Sequence, residues 1–404
     1  MENNVRLIQK GRREFLWAKN NMPLVNYIIE KNGNRKILEK YTLGVCLHIT
    51  KETAVFILGL KHLGANIILC PANPLSTQDH MVAYLKENAI KVFSNKKETT
   101  RSFNNNMNSV LDLKPEIIID DGGEFHKKAL QKNYKILGGT EETTSGINRL
   151  KAWYKKKLIT YPIIGVNQSN TKHLFDNRYG TGQSSVEGII RSTGILLAGK
   201  YVVVCGYGWV GKGIASCLKG LGAKVTITEI NPIRALEAFM DGYYVKPINE
   251  TTSYGDIFIT CTGQLRVIRK EHIRKMKNGA ILCNAGHFDV EIDTTYLKVE
   301  DRHPIIIKKN LKCYKINGNK IYLLADGRVI NLVCANGNSP EIMALSFANQ
   351  LLSIIYLSKN HNKLENRIYN VSKKIENKIS EIALQSFDLK IDKITQEQEN
   401  YFNS

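Results

Sequence analysis

YVVVCGYGWVG, residues 201–211, runs a short apolar strand into the glycine pattern Gly206-x-Gly208-x-x-Gly211. A helical stretch follows to Leu221, and a second strand, KVTITEI at Lys224–Ile230, carries Glu229 near its end. Strand, glycine turn, helix, strand and acid in this order make the βαβ unit of a dinucleotide-binding fold. The glycines let the backbone approach a pyrophosphate, which then rests on the helix N-terminus. Glu229 can accept hydrogen bonds from both ribose hydroxyls of NAD. A 2′-phosphate there would face a carboxylate, so NAD is expected and NADP disfavoured.

The 404 residues allow two or three domains, and 43% hydrophobic residues suffice for sizeable cores. The net charge of +20 comes from basic residues spread along the chain. They do not alternate with aromatic residues, and no zinc-finger or RNA-binding signature occurs. The reading is a basic, solvated surface and no specific nucleic-acid partner, although the charge can steer anionic substrates. Eight scattered cysteines without a C-x-x-C pattern argue against structural zinc, and no metal site is expected. They suit a reducing cytoplasm. The N-terminal stretch MENNVRLIQKGRREF lacks the apolar core of a signal peptide, and the longest apolar run, Ala54–Leu60, is too short to span a bilayer.

The fold class expected is α/β, with two Rossmann-like doubly wound domains and a C-terminal helical tail. Residues 1–181 form a substrate-binding domain completed by 338–387, residues 182–337 the NAD-binding domain, and 388–404 the tail. In the first domain, strands are read at Gly44–Ile49, Asn66–Cys70, Glu116–Asp120 and Tyr161–Val166. Helices are read at Glu52–Leu63, Ser76–Asn88 (from a Ser/Thr cap) and Thr143–Lys156. The second domain adds strands at Ile257–Gly263 and Ala280–Asn284, a helix from Pro232 to near Gly242, and a hairpin turning at Asn317-Gly318. A long helix starts at Ser339 as N-cap with Pro340 in its first turn, runs toward Ser358, and is expected to pack back on the first domain.

Polar residues collect where strands end, which is where α/β sheets bind ligands. His48 follows one strand and Asp120-Asp121-Gly122-Gly123 another. Glu141-Glu142-Thr143-Thr144-Ser145 is dense in acids and hydroxyls. Lys172, Asp176 and Asn177 share the stretch VNQSNTKHLFDNRYG, and Gly286-His287-Phe288 follows Ala280–Asn284. Taken singly each has a plain structural reading. His48 reads as a core histidine, Glu141–Ser145 as a capping box, and Lys172 with Asp176 as an i, i+4 surface pair.

Together these strings resemble S-adenosylhomocysteine hydrolases over nearly the whole chain. The matching segments are CLHIT with KETAV (46–55), NPLSTQDH (73–80), DDGG (120–123), EETTSG (141–146), TKHLFDNRYGTGQS (171–184), GYGWVGKG (206–213), TEINPIRALEAFMDG (228–242), NAGHFDVEID (284–293) and GRVINL (327–332). The YGTGQS and GYGWVGKG variants look like the short archaeal and thermophilic-bacterial branch. The resemblance implies reversible cleavage of S-adenosylhomocysteine to adenosine and homocysteine with tightly held NAD, one per subunit, in a cytoplasmic homotetramer. The 3′ hydroxyl is oxidised, the acidified 4′ proton removed, homocysteine eliminated, water added and the ketone reduced.

By the same resemblance Lys172 and Asp176 act on the ribose hydroxyls, with a lowered lysine pKa suiting a base. Glu142 holds the diol and Lys172. His48 and Asp121 carry protons at the 4′ and 5′ positions, Asn177 orients the nicotinamide, and His287-Phe288 gates the homocysteine channel. Thr50, Glu52, Met343 and Asn338 fall to the substrate, Glu52 as an acceptor favouring adenine. Thr143, Thr144, Ser145, Gly206, Gly208, Trp209, Val210, Gly211, Glu229, Ile230, Arg234, Thr262, Ala285, Gly286 and Asn331 fall to NAD.

The chain departs from the family pattern at Gly337-Asn338-Ser339-Pro340, where G-H-P is usual and its His meets the purine. It also lacks the K-x-x-x-Y-like terminal tail. Three alternatives follow: the same chemistry on S-inosylhomocysteine or another nucleoside thioether, a non-catalytic nucleoside-binding regulatory paralogue, and an ordinary NAD dehydrogenase of a 2-hydroxy acid.

Overall fold

The computed structural model describes residues 2–33, 35–94, 100–132 and 134–404. The first sheet begins with β1 (Thr42–Leu47), β2 (Asn66–Pro71), β3 (Lys91–Val92), β4 (Ile117–Asp120), β5 (Gly138–Glu141) and β6 (Ile163–Gly165). The second holds β7 (Tyr201–Cys205), β8 (Lys224–Thr228), β9 (Tyr244–Val245), β10 (Ile257–Thr260), β11 (Ala280–Asn284), β12 (Ile305–Lys308), β13 (Leu311–Ile316) and β14 (Asn319–Leu324). The last strand, β15 (Ile368–Asn370), returns to the first sheet and pairs with β6.

The sheet orders are β15-β6-β5-β4-β1-β2-β3 and β12-β13-β14-β11-β10-β7-β8-β9. The first is wholly parallel, and only the β12–β13–β14 meander of the second is antiparallel. In each sheet the winding direction reverses next to its first strand, between β1 and β4 and between β7 and β10. A crevice opens at such a switch point, beyond the carboxyl ends of the strands.

Both faces of each sheet are covered, so the strands read as continuous apolar runs. Val202 and Val204 pack on one side of β7, and Val203 and Cys205 on the other. Leu43, Val45 and Leu47 of β1 share one core with Ile117 and Ile119 of β4, while Cys46 and Ile118 face the opposite one. The helix Pro340–Asn360 lies in the core against the first sheet through Ala344, Leu345, Phe347, Ala348 and Leu351, and Phe347 stacks on Phe56 at 4.8 Å. This segment is long and apolar enough to cross a membrane by composition, but 78% of that window is buried inside the fold, which makes it a core helix.

Two expected caps differ. The helix expected from Ser76 begins at Asp79 after a 3-10 turn, Pro74–Ser76. Ser76 Oγ is committed elsewhere, donating to Asn73 O at 3.0 Å and meeting His48 Nδ1 at 2.5 Å. Ser339 holds the N-cap position of the long helix without a side-chain cap bond. The N-terminal stretch is a helix, Glu2–Asn20.

Candidate active site

The two crevices merge into one cavity of about 1460 Å³. That exceeds the roughly 300–1,000 Å³ of a typical small-ligand pocket and leaves room for two ligand groups. Every residue that the resemblance assigned to catalysis, substrate or NAD lines it except Gly211, and of the polar strings read at strand ends Asp120, Gly122, Gly123 and Glu141 also stay off its surface.

On the first-domain side, His48 follows β1, Asp121 follows β4 and Glu142 follows β5, so topology alone brings them together. His48 Nε2 lies 3.5 Å from Asp121 Oδ2, and His287 Nδ1, arriving from the end of β11, lies 3.7 Å from Asp121 Oδ1. Burial lowers the His48 pKa against the pull of Asp121. It drives His287 down to about 4, again opposed by Asp121 and helped by His48 and Arg149. Burial thus favours the neutral form of both rings, each standing beside the Asp121 carboxylate. A Cβ at Gly122, whose φ is +109°, would overlap His287 Nε2.

The second cluster centres on Lys172, 4% exposed and far from the surface pair its spacing suggested. Its Nζ sits 2.5 Å from Asp176 Oδ2, 2.7 Å from Asn177 Oδ1 and 3.6 Å from Glu142 Oε1. The chain at His173–Gly180 is a π-helical turn, a departure from regular helix common at functional sites. The expected lowering of the lysine pKa is corrected here. Burial does work to lower it, but Asp176, Glu142 and Asp121 together outweigh burial and raise it. The sequence gives no sign of this because two of those carboxylates come from other strands. Glu142 receives hydrogen bonds from Ser346 Oγ and, at 2.6 Å, from Gln350 Nε2 of the long helix. Burial raises its carboxyl to about 7, with Lys172 pulling it down and Asp176 pushing it up.

On the second-domain side, Gly206 has φ +106° and Gly208 is the N-cap of Trp209–Gly220 with no side-chain cap. The first N–H groups of that helix are thus left for a ligand. A Cβ at Gly211 would overlap the Gly206 carbonyl oxygen. Glu229 accepts from the N–H groups of Tyr207, Ile230 and Asn231 at 2.8, 2.7 and 3.0 Å. Burial works to raise its pKa, but these bonds and Arg234 lower it on balance, keeping an acceptor at the rim. Ile230 is 95% exposed there. This donor and acceptor set fits a dinucleotide such as NAD.

Several supporting residues escaped the sequence reading. Buried Glu291 accepts from Thr262 N, Thr262 Oγ1 and Gly263 N at 2.9, 2.8 and 2.9 Å, fixing the turn after β10. Asn284 donates to the carbonyls of Gly286, Phe288 and Gly327 and shapes the His287 loop. Arg149 lies over the Phe288 ring at 4.1 Å and pairs with Glu124 at 2.5 Å. A β-strand end is a visible signal for ligand residues, but none marks a residue that supports them from another element.

Comparison with known proteins agrees with this architecture. Residues 2–134 match the family described as S-adenosyl-L-homocysteine hydrolase, and residues 177–337 its NAD binding domain. The chain is 48% identical to the adenosylhomocysteinase of Sulfolobus acidocaldarius, over 98% of this chain and 96% of that protein. It is 46% identical to the S-inosyl-L-homocysteine hydrolase of Methanocaldococcus jannaschii, over 98% and 97%. The adenosylhomocysteinase of Aquifex aeolicus is 44% identical over 98% and 97%. These family matches and identities of 44–48% across nearly the full length of the relatives place the chain in the S-adenosyl-L-homocysteine hydrolase family.

Proposed function

We propose that this chain reversibly hydrolyses S-adenosyl-L-homocysteine to adenosine and L-homocysteine with NAD as its cofactor. The observation that carries the reading is the pair of buried clusters, Lys172–Asp176–Glu142 and His48–Asp121–His287, lining the cavity that the Gly206–Gly211 turn also opens into. Bound NAD supplies reversible hydride transfer, which no side chain here can. The Gly208–Val210 backbone and Glu229 would hold it.

At the ribose diol, Lys172 stays charged and steadies negative charge on the sugar oxygen. Glu142, with its proton affinity near neutrality, is the matched acceptor for the hydroxyl proton. Asp121, flanked by two neutral imidazoles, takes and returns protons at the 4′ carbon and the leaving sulfur. Glu52, 1% exposed and paired with Lys51 Nζ at 2.9 Å, supplies a carboxylate acceptor at the purine end. That favours an exocyclic amino group, hence adenosine over inosine. The inosyl compound is the second reading because relatives carry both names. A non-catalytic or 2-hydroxy-acid dehydrogenase role is not favoured, since these relatives are named as hydrolases or adenosylhomocysteinases.

The domain division stated above, a reducing cytoplasmic setting and a homotetramer belong to the same proposal. All eight cysteines are free. The helix Pro232–Met240 leaves Ile233, Leu236, Phe239 and Met240 exposed, apolar surface that self-association would cover. Light scattering on the purified protein checks the oligomer.

The test of function is thiol released from S-adenosyl- and S-inosylhomocysteine in parallel, with NAD present, for wild type and Lys172→Ala. Release from the adenosyl compound, lost by at least roughly 100-fold in the variant, supports the reading. Release from the inosyl compound alone overturns the substrate, and release from neither overturns the function.

A further inference from the structure

We infer that Asn338 is a positioning residue for Asp176 and does not read the purine. The inference rests on the hydrolase reading above and deepens it. Asn338 Nδ2 donates to Asp176 Oδ1 and, at 3.1 Å, to Thr181 Oγ1. Its Oδ1 accepts from Ser184 Oγ at 2.7 Å and from Asn331 Nδ2 at 3.3 Å. A primary amide has two N–H donors and two acceptor lone pairs, so its capacity is filled. A purine edge could bond to it only by displacing one of these partners.

The amide orientation is dictated by chemistry. A flipped amide would turn its carbonyl oxygen on the Asp176 carboxylate and its NH2 on the Asn331 NH2. Asp176 is thereby gripped at both oxygens, Oδ1 by the amide and Oδ2 by Lys172 at 2.5 Å. Neither contact alone fixes the plane of the carboxylate. The chain makes room for the grip at Gly180, where a Cβ would lie 2.9 Å from Asn338 Nδ2 and 2.8 Å from Ile342 Cγ2. Through Asn331, which lines the cavity from the second domain, the same amide ties the lysine–carboxylate cluster to the dinucleotide side.

The experiment compares wild type with Asn338→Ala, Asn338→Asp and Asn338→Ser, all supplied with NAD. Asparagine to aspartate keeps the shape but sets an acceptor against Asp176. Serine keeps one donor and covers an alanine variant that does not fold. Thiol release from the adenosyl and inosyl compounds gives kcat, KM and the purine ratio. A positioning role predicts kcat reduced roughly 10- to 100-fold, most in the aspartate variant, with KM within about threefold and the purine ratio within about twofold. A purine ratio moved tenfold or more, or a wild-type kcat in the alanine and aspartate variants, overturns it.

A double-mutant cycle of Asn338→Ala with Asp176→Ala on the thermal midpoint reads the contact without substrate. Coupled shifts support the grip and additive shifts overturn it. Wild-type protein inactive on both purines would sink the hydrolase reading, while the cycle still decides the grip.

Discussion

Replacing Glu142 by Gln keeps the shape of the side chain and removes its charge. Glu142 is 5% exposed, and its carboxyl stands at about 7 instead of the ordinary 4.5 because burial outweighs the attraction of Lys172. Lys172 is only a partial counterion here, since Asp176 is nearer to it, 2.5 Å against 3.6 Å. The folded chain therefore retains the Glu142 proton between pH 4.5 and 7, where the unfolded chain has released it. Stability from this group is greatest below pH 4.5 and falls as pH rises toward 7. The rise from 4.5 to about 7 costs roughly 3 kcal/mol in all, most of it between pH 5 and 8.

Gln never carries that cost. Relative to wild type, Glu142→Gln is expected to gain roughly 2–3 kcal/mol of stability between pH 5 and pH 8, whatever its offset at either pH. For a domain near 200 residues that is roughly 5–10 °C in thermal midpoint. Calorimetry of both proteins at the two pH values, at fixed protein concentration and saturating NAD, reads the difference of differences. If the variant loses ground as pH rises, the ion pair with Lys172 dominates burial and the reasoning is refuted.

Gly122→Ala puts a Cβ against His287 at a backbone φ of +109°. Thiol release is expected to fall roughly 10- to 100-fold, and wild-type rates would show that His287 can yield. Gly211→Ala drives the Gly206 carbonyl out of the turn. NAD retained through gel filtration, read by absorbance, is expected to drop below half of wild type, and full retention counts against the cradle. Glu291→Ala orphans the donors of Thr262 and Gly263, which at roughly 1–3 kcal/mol for a buried unpaired group should weaken NAD at least about tenfold by titration calorimetry. An unchanged Kd would mean the turn holds itself.

The dinucleotide half was legible because its strands are apolar runs and its turn needs glycine. The first sheet was less so, and β5 shows why. Its sequence, Gly138-Gly139-Thr140-Glu141, carries no hydrophobic signal. It is buried because neighbouring side chains pack straight onto its backbone. A Cβ on Gly139 would lie 2.6 Å from His126 Cε1, and one on Gly138 3.0 Å from Leu357 Cδ2. Two-residue β3 and late-arriving β15 have no local pattern long enough to read. At the site, strand ends announced His48 and Asp121, and Glu142 stood out only by the acid- and hydroxyl-rich run after the unread β5, but the charge on Lys172 depends on which carboxylates meet it in space. Asn338 looked like a purine contact for the same reason: its four partners lie 7 to 162 residues away in sequence.

The helix Pro340–Asn360 sets a timetable for synthesis. Its Phe347 closes on Phe56, and its Ser346 and Gln350 satisfy Glu142, yet it leaves the ribosome some 160 residues after residue 181. At roughly 5–20 residues per second this is a wait of about 10–30 s. The nascent first domain must spend that interval with an apolar trough open and a buried acid lacking both hydrogen-bond donors. The second domain, whose core draws on none of that helix, can fold meanwhile. A chain released at residue 337 is accordingly expected to bind chaperones or dye through its first half while its glycine turn is already formed, and a fully packed first half in such a fragment would contradict this order of assembly.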